Sequence, residues 1–191
     1  GNRVYLTADM DLNQAVTFDR DFVLDLNGHE LHGAVNGYLF TADGGTLTIR
    51  SGKLTNTGRI ATAVNGGQIV IENGDFESND VAFTAMGPGS KITMEDGVIT
   101  AVEGGLMAFD GAEIEFNGGQ IDVSDNFCIG TNGLAGRGNN TITMNGGILS
   151  GSIKSAGYEA IGVYIANNDT FVMNDGEIFA DDGAGICMRG G

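Results

Sequence analysis

Residues 142–151 read ITMNGGILSG. In an extended chain Ile142 and Met144 share one face and Thr143 takes the other. The bend Asn145-Gly146-Gly147 contains glycine, which turns a corner at positive φ without steric cost. Leu149 then points inward again from a second strand. The pattern is apolar, any, apolar, two turn residues, Gly, any, apolar. It recurs as Leu24-Leu26-His29-Leu31, Leu47-Ile49-Gly52-Leu54, Ile69-Ile71-Gly74-Phe76, Ile92-Met94-Gly97-Ile99, Ile114-Phe116-Gly119-Ile121 and Phe171-Met173-Gly176-Ile178. The three apolar columns hold in every copy. The Gly column fails only in the first, where Gly28 stands one place before His29.

Measured at Leu26, Ile49, Ile71, Met94, Phe116, Met144 and Met173, the period is 22–23 residues and lengthens to 28–29 at the end. A leucine-rich repeat has a similar period but needs a Leu-rich consensus with a fixed Asn. The calcium-binding nonapeptide roll is shorter, and a propeller blade is longer. Three short strands per repeat of roughly 22 residues predict an all-β, right-handed parallel β-helix of about eight coils. On that reading Ile69, Ile92, Ile114 and Ile142 form an interior ladder. One surface column runs Asn27, Arg50, Glu72, Glu95, Asn117, Asn145, Asn174, with Arg50 beside Glu72. The column before it runs Asp25, Thr48, Val70, Thr93, Glu115, Thr143, Val172.

The whole chain, 1–191, reads as one domain. The repeat stops mid-coil, with Gly185-Ile186-Cys187-Met188 echoing Gly162-Val163-Tyr164-Ile165, so the expectation is a segment of a longer chain or an end covered by a partner. The two long periods mark surface inserts at 131–140 (TNGLAGRGNN) and 151–160 (GSIKSAGYEA), which flank the strand region 141–150.

The chain has 25 acidic and nine basic residues, a net charge of −16. Such a surface repels phosphate backbones and anionic membranes, so nucleic acid is not an expected partner. No apolar run is long enough to span a bilayer, so membrane insertion is not expected. Cys128 and Cys187 fall two coils apart, about 9–10 Å along the axis, too far for a disulfide, and read as free packed thiols.

The segments LDLNGHEL (24–31), ITMNGGILSG (142–151) and IGVYIANNDTFVMNDGEIFADDGAGICM (161–188) resemble repeats of the pectate-lyase-like β-helix superfamily. More narrowly, they resemble the Gly-rich β-helix repeats of large cell-surface proteins of anaerobic Gram-positive bacteria and of phage fibre or spike proteins. The resemblance implies an extracellular, cell-surface or virion location, a glycan or cell-surface ligand, and a homo-oligomer, a trimer in a phage fibre. Because that superfamily hosts lyases, hydrolases, adhesins and spikes alike, function must be argued from the site.

Enzymes on this fold attack polysaccharide with clustered carboxylates, joined in the lyases by calcium and a nearby Arg or Lys. Here carboxylate pairs are plentiful: Glu113 with Glu115, Glu72 with Glu95, Glu95 with Asp96, Asp122 with Asp125. In a chain this acidic they read as a solvated face. The basic residues are scattered and none forms a recognisable lyase motif, although Arg137 and Lys154 stand in the inserts. His29 and His32 straddle a corner, so no metal site is assigned, and no cofactor is expected. No G-x-S-x-G or phosphate-loop pattern occurs. The expected function is therefore a non-catalytic, structural or adhesive module, with a carbohydrate-active enzyme fragment as the alternative and no catalytic residue assigned. An ice-binding Thr array is least favoured, because Val70 and Glu115 interrupt Thr48, Thr93 and Thr143. A glycan is expected between the two inserts, at Glu115, Asn117, Thr143, Asn145 and Asn174, with Tyr158 as the stacking ring.

Overall fold

The computed structural model describes residues 2–131, 137–152, 159–166 and 168–189. Among them there is no helix, and hence no helix long and apolar enough to cross a membrane. The chain is a parallel β-solenoid. Each of its eight coils contributes one strand to each of three eight-stranded parallel sheets, A, B and C. The coil built from Gln68–Ile71 (sheet A), Asp75–Ser78 (sheet B) and Val81–Met86 (sheet C) is typical. Sheet A runs from Asn2–Tyr5 to Thr170–Met173, sheet B from Met10–Leu12 to Glu177–Ala180, and sheet C from Val16–Phe18 to Ala184–Arg189.

Inward residues stack in columns. Leu47, Ile69, Ile92, Ile114 and Ile142 are in register and buried in sheet A. Sheet B contributes Leu31, Leu54, Phe76, Ile99, Ile121 and Leu149. Sheet C adds Phe40, Ala61, Phe83, Leu106, Ile129 and Val163. Phe76 and Phe83 meet edge to face across the core, centroids 5.4 Å apart. At the open ends the same columns are uncovered: Val4, Met173 and Ile186 occupy inward positions yet are exposed.

The glycine at the A-to-B corner does two jobs. Gly97 has φ +114°, and a β-carbon there would lie 2.6 Å from the Gly74 carbonyl oxygen of the coil below. The corner glycines therefore stack one on another, so tightly that no side chain fits between coils. In the third coil the jobs are split. Ser51 takes the positive φ (65°), and Gly52 supplies the clearance over Leu26 and His29.

The first copy of the repeat needs a correction. Phe22 and Leu24, not Leu24 and Leu26, stand beside Leu47 and Ile49. Two extra residues fill the following corner, where Asn27 and Gly28 both have positive φ and the His29 amide donates back to the Leu26 carbonyl. Leu26 is a buried corner plug, and the register recovers at Leu31 beside Leu54. Asp25 rather than Asn27 is therefore Arg50's neighbour in the surface column, and Val23 rather than Asp25 leads the column of Thr48.

Asp25 takes hydrogen bonds from Arg3 (2.6 Å), from Arg50 Nε (3.2 Å) and from the Asn27 amide (3.0 Å). Arg50 Nη1 reaches on to Glu72 at 3.0 Å, the pair expected from the sequence. Burial pushes the Asp25 carboxyl up, but these donors outweigh it and hold it below the ordinary range. A carboxyl with a depressed folded pKa contributes stability above its unfolded pKa, about 4, and loses it as pH falls through the lower folded value. We expect the melting temperature to drop in that acid window, and to drop less steeply in Asp25→Asn. Equal slopes for the two proteins would remove Asp25 from the account.

Cys128 and Cys187 are free, two coils apart in sheet C and in different columns. Burial pushes the Cys128 thiol up to about 12, so it stays protonated and inert.

Insert 131–140 is not wholly a surface loop. Thr131 ends a sheet C strand, and Arg137 and Asn140 are tied to neighbouring coils. Arg137 forms a bidentate pair with Asp110 and lies over the Phe109 ring, 5.4 Å from its centroid. That guanidinium holds the Asp110 carboxyl below the usual range.

Candidate functional site

Five of the six residues expected to bind a ligand fall on the outer face of sheet A, in two adjacent columns. Thr93, Glu115, Thr143 and Val172 are side by side in one. Glu95, Asn117, Asn145 and Asn174 follow directly after those strands in the other. Tyr158 and Lys154 lie outside the described residues.

The second column is a hydrogen-bonded ladder. Asn174 Nδ2 donates to Asn145 Oδ1 (2.7 Å), Asn145 Nδ2 to Asn117 Oδ1 (2.8 Å), and Asn117 Nδ2 to Glu95 Oε2 (3.0 Å). Each asparagine thus spends one donor and one acceptor position on its neighbours, except that Asn174 accepts none of these bonds. A ligand on this face would meet a partly satisfied surface. Glu115 is also engaged, its Oε2 standing 2.5 Å from Lys91 Nζ. The basic neighbour not foreseen for Glu115 comes from the adjacent coil, where Lys91 stands beside Glu113, two residues before Glu115.

The same holds across the surface. Lys53 pairs with Glu77 (2.7 Å), Arg59 with Asp80 (3.1 Å), Arg50 with Asp25 and Glu72, and Arg137 with Asp110. The two histidines face different carboxylates, His29 toward Asp9 (3.3 Å) and His32 toward Glu30 (3.2 Å). Among the described residues no group of three or more His, Cys, Asp or Glu is arranged to hold a metal.

Sheet B carries a feature that the sequence reading passed over. Its second outward column runs His32, Thr55, Glu77, Thr100, Asp122, Ser150. Beside it the chain bends toward sheet C, and the bend leaves a furrow. One stretch of about 280 Å³ is lined by Glu77, Ser78, Asn79, Thr100, Asp122, Ser124, Ser150 and Ser152, with Ala101, Val102 and Val123 as its apolar part. A second, of about 360 Å³, is lined by His32, Gly33, Lys53, Thr55, Asn56, Thr57, Glu77 and Asn79. Glu77 and Asn79 line both, so the two stretches adjoin, and together their linings span the second coil to the seventh, roughly 24 Å at the ordinary strand spacing. Its buried lip is fixed from beneath: Asn56 donates to the Gly37 and Arg59 carbonyls, and Ser78 Oγ to the Gly58 carbonyl. Part of the signal was present in the sequence, because the residues of the outward column, His32, Thr55, Glu77, Thr100, Asp122 and Ser150, each directly follow the third apolar column.

Sheet C is partly covered on its outer face, at Thr62 and Thr84 and under Phe127. Thr17, Thr41, Thr62 and Thr84 form a regular column. It cannot be an ice-binding array, because Thr62 and Thr84 are buried. The Tyr38 hydroxyl meets Thr84 Oγ1 at 2.9 Å, and Arg59 lies over the Tyr38 ring. Farther up, Phe127 covers Gly104 and Gly130, where a β-carbon would strike its ring at 2.7 and 2.6 Å, and Tyr164 stacks on it with centroids 6.5 Å apart.

The fold and surface thus define a parallel β-solenoid with one ridged ladder face, one furrowed face and one partly covered face. No protein-family model matches the chain significantly, and neither does any curated protein or solved structure.

Proposed function

We propose that this chain is a non-catalytic β-solenoid module of an extracellular or virion surface protein, of the pectate-lyase-like kind, and that it holds glycan chains along the sheet B furrow. The observation that carries the reading is the furrow itself. It is long and open, and it offers Ser, Thr, Asn and carboxylate oxygens at successive coils. A polyhydroxylated chain lying along the axis would find a hydrogen-bonding group at each step of about 4.8 Å.

Two features favour holding over cleaving. Every carboxyl with a displaced titration, namely Asp9, Asp19, Asp25 and Asp110, is held low by its donors, whereas a general acid needs a raised pKa. Arg3, Arg50, Lys53, Arg59, Lys91 and Arg137 are tied into ion pairs between coils. The resemblance to adhesin and fibre repeats agrees with this reading and implies a surface location.

The test is a glycan array run with a reducing-sugar and unsaturated-product assay on the same samples. We expect binding without product, lost in the double variant Thr100→Val/Asp122→Asn and kept in Asn145→Ala. Product that vanishes in Glu115→Gln would replace this reading with the enzyme one. Binding lost in Asn145→Ala alone would move the site to the ladder face.

A further inference from the structure

Resting on the furrow reading above, we infer that the furrow sorts glycans by charge: chains bearing free amines bind best, neutral chains next, and uronate- or sialate-bearing chains worst.

The furrow's charges are unevenly matched. Its one lysine, Lys53, is consumed: its ammonium is 2.7 Å from Glu77, with Glu30 and Asp75 adding to the field that holds its proton. Asp122 has no such partner. Both of its oxygens accept from the neutral Gln120 amide, at 3.0 and 2.9 Å, and no basic side chain among the described residues forms an ion pair with it. Asp122 sits between Thr100 and Ser150 in the outward column, so its carboxylate is flanked by hydroxyls. A neutral sugar can donate hydroxyls to it. An ammonium in the same place adds a charge-assisted bond, and a uronate puts carboxylate against carboxylate.

The size of the effect follows from Coulomb's law. At about 5 Å in a water-like dielectric, one charge pair changes affinity about fourfold. The contribution is felt at low salt and is screened at high salt.

The probes are tetramers of chitosan, chitin and galacturonate, titrated by calorimetry against the whole chain in about 10 mM and about 500 mM salt. We expect chitosan to bind about fourfold tighter than chitin at low salt, with galacturonate weaker than chitin by a similar factor. Asp122→Asn should bring the chitosan-to-chitin ratio close to one. Asp181→Asn, an exposed carboxylate on the last coil, controls for general attraction to so acidic a protein and should leave the ratio unchanged. Chitin binding with a ratio near one, or galacturonate binding best, overturns the inference and leaves glycan binding standing. A ratio that survives Asp122→Asn, or falls equally in Asp181→Asn, overturns the assignment to this carboxylate. No binding by any tetramer overturns both the inference and the function on which it rests.

Discussion

Met144→Asp should bring the solenoid close to unfolding. Met144 is fully buried, in register between Phe116 and Met173. Removing a buried methionine side chain costs about 2–5 kcal/mol. The new carboxyl must also be desolvated, so its pKa rises and its charged form is penalised at neutral pH. A total stability of about 5–15 kcal/mol leaves little margin for the sum. The loss should be smaller in acid: a carboxyl with a raised folded pKa destabilises most above that pKa, and the penalty lifts as pH falls through it. Met173→Asp is the control, since Met173 occupies the same column but is 41% exposed on the last coil. Chemical denaturation of both variants at pH 7 and pH 5 reads the effect. Comparable midpoints for the two at pH 7 would mean that the column does not form a dry core.

Asn140→Ala should cost about 2–4 kcal/mol, far more than an ordinary loop substitution. Asn140 is almost completely buried. Its Oδ1 accepts from the amides of Gly111 and Ala112 (3.0 and 3.1 Å), while its Nδ2 donates to the Arg137 carbonyl (3.2 Å) and to Asp169 Oδ1 (3.0 Å). Alanine takes the acceptor from the Gly111 amide at a tight corner and leaves the Ala112 amide only its bond to the Phe109 carbonyl (3.2 Å). Asn140→Asp keeps the acceptor but sets a carboxylate against Asp169, so it should be worse than alanine at pH 7 and recover in acid. A melting temperature for Asn140→Ala within a degree or so of the parent would show that the corner satisfies its amides in another way.

The solenoid was legible in the sequence because its signal repeats: one apolar triplet is noise, but aligned triplets with a glycine at fixed offset are geometry. The alignment failed where two readings were equally apolar. Leu24 and Leu26 both satisfy the pattern, and only pairing with Ile49 in the next coil decides between them. The ladder column could be read from spacing, but its bonding could not, since Asn117, Asn145 and Asn174 could equally have faced solvent singly. The furrow was only partly legible, because Thr100, Asp122 and Ser150 stand on plain strands and the bends that form its lip carry no fixed pattern. The covering of sheet C was beyond sequence reasoning. Tyr38 reaches Thr84 across two coils, and no local pattern encodes that reach.

The asparagine ladder also gives the molecule a sense of direction. All three side-chain amides point their N–H the same way, and the row ends on the Glu95 carboxylate. Dipoles aligned head to tail polarise one another, and the anion sits at their positive end, where it strengthens every link above it. The row therefore behaves as a single cooperative strut laid along one edge of the solenoid. Cutting it at Asn145 would cost more than cutting it at Asn174, because the first break isolates two links and the second only one.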